Sequence, residues 1–310
     1  IGSNPRYEAT MLNARIRKSY LQNKTKIISL NDVGDLTYPY EALNGDTENI
    51  KDIVEDKHEI SNLIKKAKKP LIIFGQSALI SNSAKYIFES MKSYLNKNNK
   101  ISNEWNSLNI ISDKASTVGS FDLGLYKTID GTNKVLKDLE NNKFEIIYLL
   151  GQDNLTFNKK NEFIIYQGSH GDKGAEMSDI ILPGAAYTEQ NGYFTNLEGK
   201  LQKAYKASYP PEDAKEDWLI INQLAEVMNH RTLFNDKDEL DSSLLNQINL
   251  HVEKNKSKEF LEIKGLDFKK EILQIKNEDY YYSNVIARAS KTMFECKNTK
   301  INLKSTGTEG

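Results

Sequence analysis

The hexapeptide Gln167-Gly168-Ser169-His170-Gly171-Asp172 places a serine, a histidine and an aspartate within four positions of a glycine-flanked loop. Those are the side chains of a nucleophilic triad, in which a base activates the serine hydroxyl and a carboxylate orients the base. A working triad, however, converges from separate loops, and near neighbours in sequence rarely reach its geometry. Structural or interface use of Ser169, His170 and Asp172 is therefore the plainer reading, with a free-standing hydrolase as the reading to disprove. A second candidate is Gly2-Ser3-Asn4-Pro5-Arg6, a turn into a helix whose backbone amides could face a phosphate. Its plainer reading is an ordinary strand-to-helix turn, with Arg6 and Arg15 bonded to nearby backbone or carboxylates. Gly75-Gln76-Ser77-Ala78 follows the apolar Leu71–Phe74 but has one glycine, so it is neither a Walker loop nor a dinucleotide fingerprint. NAD or ATP is not expected there.

Metal chemistry can be judged by subtraction. Iron–sulfur clusters require several cysteine thiolates, occasionally joined by histidine. The chain has Cys296 alone, and His58, His170, His230 and His251 are dispersed. No cluster can be assembled from these. The single cysteine also excludes an internal disulfide and suits a reducing compartment. With 42 Lys and Arg against 43 Asp and Glu, the net charge of -1 gives no electrostatic reason for a nucleic-acid or lipid-surface partner. No apolar run approaches the roughly 20 residues of a membrane span, so any membrane association is expected to come through partner subunits.

The elements that would position these residues alternate. Short apolar runs predict strands at Lys26–Leu30, Pro70–Phe74, Phe144–Leu150, Phe163–Tyr166 and Asp179–Leu182, with a weaker one at Asn109–Ile111. Longer amphipathic stretches predict helices over Ala9–Tyr20, Glu59–Ala67, Ala84–Leu95, Thr132–Glu140 and Glu216–Met228. This is the βαβ pattern of a mainly parallel sheet, with Gly75, Gly151 and Gly168 just beyond strand ends, where such sheets place their crevice loops. Ile180-Ile181-Leu182, closed by Pro183-Gly184, reads as a buried central strand. Asn196-Leu197-Glu198-Gly199 reads as a tight turn with Gly199 suited to positive φ. Pro210-Pro211 ends this regime. Thr232–Glu239 reads as loop, Leu240–Val252 as helical, Asn255–Lys258 as polar, and the chain from Lys264 as extended segments plus a short helix. The expected division is an α/β region over 1–209 and a less regular helical and extended region over 210–310 that packs on it.

The stretch Met177–Gln202, MSDIILPGAAYTEQNGYFTNLEGKLQ, resembles a signature of the molybdopterin oxidoreductase fold. More closely, it resembles the 75 kDa (G-type) subunits of respiratory NADH:ubiquinone oxidoreductase, complex I. The likeness continues through NPRYEATMLNARIRK, KKPLIIFGQSAL, IIYQGSHGDKGAEMSDIILP, EDWLIINQLAEV and DYYYSNVIARASKTM, in order along the chain. It implies a doubly wound, mainly parallel α/β fold of the molybdopterin oxidoreductase type. Gly2–Arg6 is similar to a "GxNP" loop that contacts pterin or guanine nucleotide in molybdenum enzymes, although the complex I subunits share the wording without a known need for a pterin. Molybdenum commonly takes a Cys, Ser or Asp ligand, and Cys296, in a polar terminal segment after Met293-Phe294, is poorly placed to be one. The resemblance implies a non-redox structural portion of an enzyme that moves electrons from NADH to ubiquinone and translocates protons. In this reading the chain has no catalytic, cofactor-binding or metal residues, and the iron–sulfur clusters lie in an absent N-terminal part. The expected partners are that part and other peripheral-arm subunits, with no nucleic acid and no direct membrane insertion. The expected location is the matrix side of the mitochondrial inner membrane, or alternatively the cytoplasmic face of a bacterial plasma membrane. The alternative function is a fragment of an active, formate dehydrogenase-like molybdopterin enzyme. Ile1-Gly2-Ser3-Asn4-Pro5 reads as a strand end followed by a turn, so the chain is expected to be the C-terminal part of a longer polypeptide or the product of a split gene. Its abundance of Lys, Asn and Ile suggests an AT-rich organellar or intracellular bacterial genome.

Overall fold

The computed structural model describes residues 1–302 except 113, 126–128, 156, 229–230, 255–265 and 277–278; the side chains of 129–134, 250–254 and 301–302 also fall outside the description. The polar stretch Asn255–Lys258, His230 and the His251 side chain thus lie outside the described residues. The chain divides into two compact units. One comprises Ile1–Ala115 with the later segment 266–276; the other runs from Ser116 and includes residues 279–302. The sequence suggested a break after residue 209, where regular βαβ alternation ends. Compactness instead follows which segments return to which core, and local composition does not record that.

The first unit begins with α1 (Pro5–Glu8) and α2 (Thr10–Asn23), followed by β1 (Ile28–Ser29) and β2 (Glu41–Ala42), which pair in parallel. Next come α3 (Glu48–Val54), α4 (Glu59–Lys66), β3 (Ile72–Phe74), α5 (Gln76–Leu79), α6 (Ala84–Lys97) and β4 (Leu108–Ile110). β3 and β4 are parallel neighbours joined through α6. The helix forms because Ile87, Met91, Tyr94 and Leu95 recur at i, i+4, i+7 and i+8, one apolar face. That face closes on Phe74, Ile50, Ile53, Ile60 and Ile64 in one core. Leu273 joins that core from far along the chain. Around it the returning segment is stitched down. Asn31 Nδ2 donates to Leu273 O (2.8 Å), Leu273 N to Gly45 O (2.9 Å), and Ser83 Oγ to Lys269 O (2.7 Å).

The second unit holds α7 (Thr117–Asp122), α8 (Ile129–Glu140), β5 (Ile146–Leu150), β6 (Phe163–Gly168), α9 (Lys173–Glu176) and β7 (Ile180–Pro183). An antiparallel hairpin follows, β8 (Gly192–Thr195) with β9 (Leu201–Ala204), turning at Gly199 with φ of 78° as its sequence suggested. The rest is α10 (Asp217–Val227), α11 (Lys237–Lys254), a 3-10 turn at Tyr280–Tyr282, α12 (Val285–Ala289) and α13 (Lys291–Asn302). α11 starts inside the stretch expected to be loop, with Asp236 accepting from Glu239 N (2.8 Å) at its entrance.

β5, β6 and β7 form one parallel sheet in that order. One face packs Leu149, Ile164 and Tyr166 against Leu155, Phe157, Ala175 and Met177. On the other, Ile146, Leu150, Phe163 and Ile180 remain 65, 52, 43 and 44% exposed. Parallel sheets are ordinarily covered on both faces; this one is bare over much of one. The run Ile180–Leu182 is therefore not the buried central strand expected from its composition. β7 is the sheet edge, and Ile181 is 55% exposed.

Asp179 ties that edge to the centre, accepting from Lys159 Nζ (2.6 Å) and from Ile164 N (2.7 Å). Its pKa is lowered, first by the Lys159 bond and then by the Ile164 amide. A carboxyl with a depressed folded pKa contributes stability above its unfolded value of about 4, and loses that contribution as pH falls through the folded value. Asp179→Ala should melt below wild type at pH 7, and the gap should close as the pH is lowered through the acid range. Thermal melts followed by circular dichroism check it.

Candidate functional site

In open α/β sheets ligands bind beyond the carboxyl ends of the strands, so the loops that follow the strands of each unit are the places to look. In the first unit, Ile1 lies beside β3, its N bonded to Ile73 O (2.8 Å) and its O to Gly75 N (2.9 Å). The chain then turns at Gly2, whose φ of 63° favours glycine. Asn4 caps α1, accepting from Arg6 N (3.2 Å). The donors that could cradle an anion are already engaged. Asn4 N donates to Glu8 Oε1 (2.6 Å) and Ser3 Oγ to Glu8 Oε2 (3.0 Å). Arg6 reaches Asp35 Oδ2 at 2.6 Å. The second glycine turn packs directly on the first, since a Cβ on Gly75 would stand 2.2 Å from Gly2 O.

In the second unit the loop after β6 holds Ser169, His170 and Asp172 as the sequence anticipated, but not as a triad. Ser169 Oγ and His170 Nδ1 are 3.0 Å apart. Asp172 does not orient the imidazole. Its Oδ1 caps α9 by accepting from Lys173 N (2.9 Å), and its Oδ2 accepts from Arg288 Nε (2.8 Å). Arg288 also bonds Asp153 Oδ2 through Nη2, spanning the loops after β5 and β6. Burial opposes the guanidinium charge, but the two carboxylates outweigh it and push its pKa further up. Nearby, the wholly buried Gln167 donates to Asp217 Oδ1 (2.8 Å) and accepts from the Tyr148 hydroxyl, while Gln190 donates to Asp217 Oδ2 (3.0 Å). Burial, and secondarily the Asp217 charge, raise the Tyr148 pKa. This is a closed network of satisfied groups. Among the described residues, no carboxylate bonds the His170 ring, the third member that a Ser–His pair would need.

The sequence reading missed Arg288, Asp153, Asp217, Gln190 and the plug made by Glu8. Arg288 is 116 and 135 residues from its two carboxylates, and no local pattern encodes such a pairing. Arg288→Ala would strand Asp153, a buried carboxylate, and should cost about 2–3 kcal/mol, less than a fully buried pair because the arginine keeps some solvent. Adding Asp153→Asn and Asp172→Asn should recover most of that loss, as urea unfolding midpoints would record.

The family model described as molybdopterin oxidoreductase matches residues 1–227. The chain belongs to the molybdopterin oxidoreductase family. It is similar to the NADH-ubiquinone oxidoreductase 75 kDa subunit of Reclinomonas americana, 37% identical over 96% of this chain and 44% of the relative. It is similar to the G-type subunit of the Rickettsia bellii NADH-quinone oxidoreductase, 36% identical over 99% of this chain and 44% of the relative. It is likewise similar to the mitochondrial NADH-ubiquinone oxidoreductase 78 kDa subunit of Candida albicans, 34% identical over 96% and 42%. The chain thus spans less than half the length of these relatives.

Membership raises the question of a molybdopterin, and the residues present do not fit one. A phosphate at the Gly2–Arg6 turn would meet the Glu8 carboxylate where it needs donors, because Asn4 N and Ser3 Oγ already donate to Glu8 and Arg6 is held by Asp35. Among the described residues, no three His, Cys, Asp or Glu side chains gather in a metal-binding group. Cys296 is exposed on α13.

Proposed function

We propose that this chain is a non-redox structural region of the large iron–sulfur subunit of NADH:ubiquinone oxidoreductase. In this reading it supports electron transfer from NADH to ubiquinone without carrying electrons, and none of its residues is catalytic, cofactor-binding or metal-binding. The single observation that carries the reading is sequence identity of 34–37% along nearly all of the chain with proteins named as 75 kDa, 78 kDa or G-type subunits of that enzyme. The engagement of the Gly2–Arg6 donors by Glu8 and Asp35 favours it over an active, formate dehydrogenase-like molybdopterin enzyme. The clusters belong to an N-terminal part of the parent subunit, and that part and other peripheral-arm subunits are the partners. No described helix is long and apolar enough to cross a membrane, so attachment to the matrix face of the mitochondrial inner membrane, or to the cytoplasmic face of a bacterial one, would run through those partners.

The test replaces the most chemistry-like pair. Ser169→Ala with His170→Ala should leave NADH:ubiquinone turnover per assembled complex within about twofold, because loss of a true nucleophile or base costs orders of magnitude. A large fall in turnover per complex would exclude a structural role.

A further inference from the structure

Helix α2 is an outlier in a chain with balanced charge. From Ala9 to Asn31 there is no Asp or Glu, yet Arg15, Arg17, Lys18, Lys24 and Lys26 fall within it. Solvated helices ordinarily mix signs and build i,i+4 ion pairs. Lys26 pairs with Glu41 at 2.9 Å, but among the described residues no ion pair engages Arg15, Arg17 or Lys18. The helix rests on one narrow side, with Asn13 buried and Leu12, Ile16 and Tyr20 half-buried. Opposite them, at 100° per residue, Met11, Arg15, Lys18 and Leu21 form an outward ridge. Met11 is 76% and Leu21 56% exposed, and Tyr7 on the preceding turn is 69% exposed.

We propose that this ridge is a protein-docking surface whose partner presents carboxylates around an apolar socket for Met11 and Leu21. Tyrosine, methionine and arginine are the residue types enriched in protein interfaces, and cations of one sign select and orient an acidic partner. A lipid surface would need the apolar side of α2 turned outward, and that side faces its own unit. A nucleic acid would need a broad basic field, which a chain of net charge -1 does not supply. The inference does not depend on the respiratory reading, and its test separates the two.

The full chain, carrying a photoreactive benzophenone amino acid in place of Met11, is expressed in cells and irradiated. Adducts are identified by mass spectrometry. The expected product is a peptide from another protein whose flanking sequence is acidic. Arg15→Glu with Lys18→Glu should cut its yield at least about tenfold, while Lys66→Glu with Lys68→Glu, the same charge change elsewhere on the first unit, should leave it within about twofold. Circular dichroism confirms that both variants fold. An adduct to an acidic protein outside any NADH-oxidising complex would support this surface and reject the respiratory reading. No adduct, an adduct to lipid, nucleic acid, a non-acidic protein or a second copy of this chain, or equal loss in both variants, would overturn the proposal.

Discussion

Ile164→Asp should leave the second unit unfolded, whereas Ile181→Asp, one strand away, should be tolerated. Ile164 is fully buried at the centre of β6, between β5 and β7. A carboxylate there would be unpaired in an apolar setting, at a cost of several kcal/mol. That is comparable with the whole stability of a domain, about 5–15 kcal/mol. Ile181 is more than half exposed on the edge strand, where a charge is solvated and even discourages unwanted strand pairing. Its substitution should cost no more than about 1 kcal/mol. Far-ultraviolet circular dichroism and urea unfolding of the purified variants distinguish the two. Equal collapse of both would mean that β7 is not the edge of this sheet.

The second large effect belongs to the paired glycine turns of the first unit. Gly75 has an ordinary φ, so backbone strain is not the issue; contact is. Its added methyl would meet a backbone oxygen, and backbone cannot swing aside as a side-chain tip can. Gly75→Ala should therefore destabilise the first unit by about 3 kcal/mol, the upper range of overpacking. Gly34→Ala is the control. Its φ of 77° carries the strain of about 1 kcal/mol for a left-handed alanine, but no atom lies within 4 Å of the new methyl. Thermal melts that ranked Gly34→Ala as the more damaging change would refute the packing described between Gly2 and Gly75.

Much of this architecture was legible in the residues. β3, β5 and β6 fell where short apolar runs met glycine, and α6 and α10 where apolar residues recurred at helical spacing. α3 escaped because a seven-residue helix offers only Ile50, Ile53 and Val54 as a pattern, too short a run to separate from loop. The position of β7 escaped for a different reason. A short apolar run bounded by turns reads the same whether it ends up central or at an edge, because composition does not say which neighbours arrive. The site was legible in its loops and not in its chemistry. Ser169, His170 and Asp172 were found in sequence, but what disposes of Asp172 is Arg288. Glu8 is likewise silent in sequence, since its meaning lies in which amide it reaches.

The segment that returns to place Leu273 in the first core has a consequence for synthesis. Asn31 precedes its partner Leu273 by 242 residues. At about 5–20 residues per second on a ribosome, the first unit therefore waits on the order of tens of seconds with part of its core open. Through that interval Asn31, Thr47 and Ser83, which end up bonded to the returning segment, have only water or a chaperone to satisfy them. Each unit thus waits for a later segment, 266–276 for the first and 279–302 for the second, and a pause or truncation ahead of Leu273 would release a chain in which Leu273 is missing from the first core and Arg288 from Asp153 and Asp172.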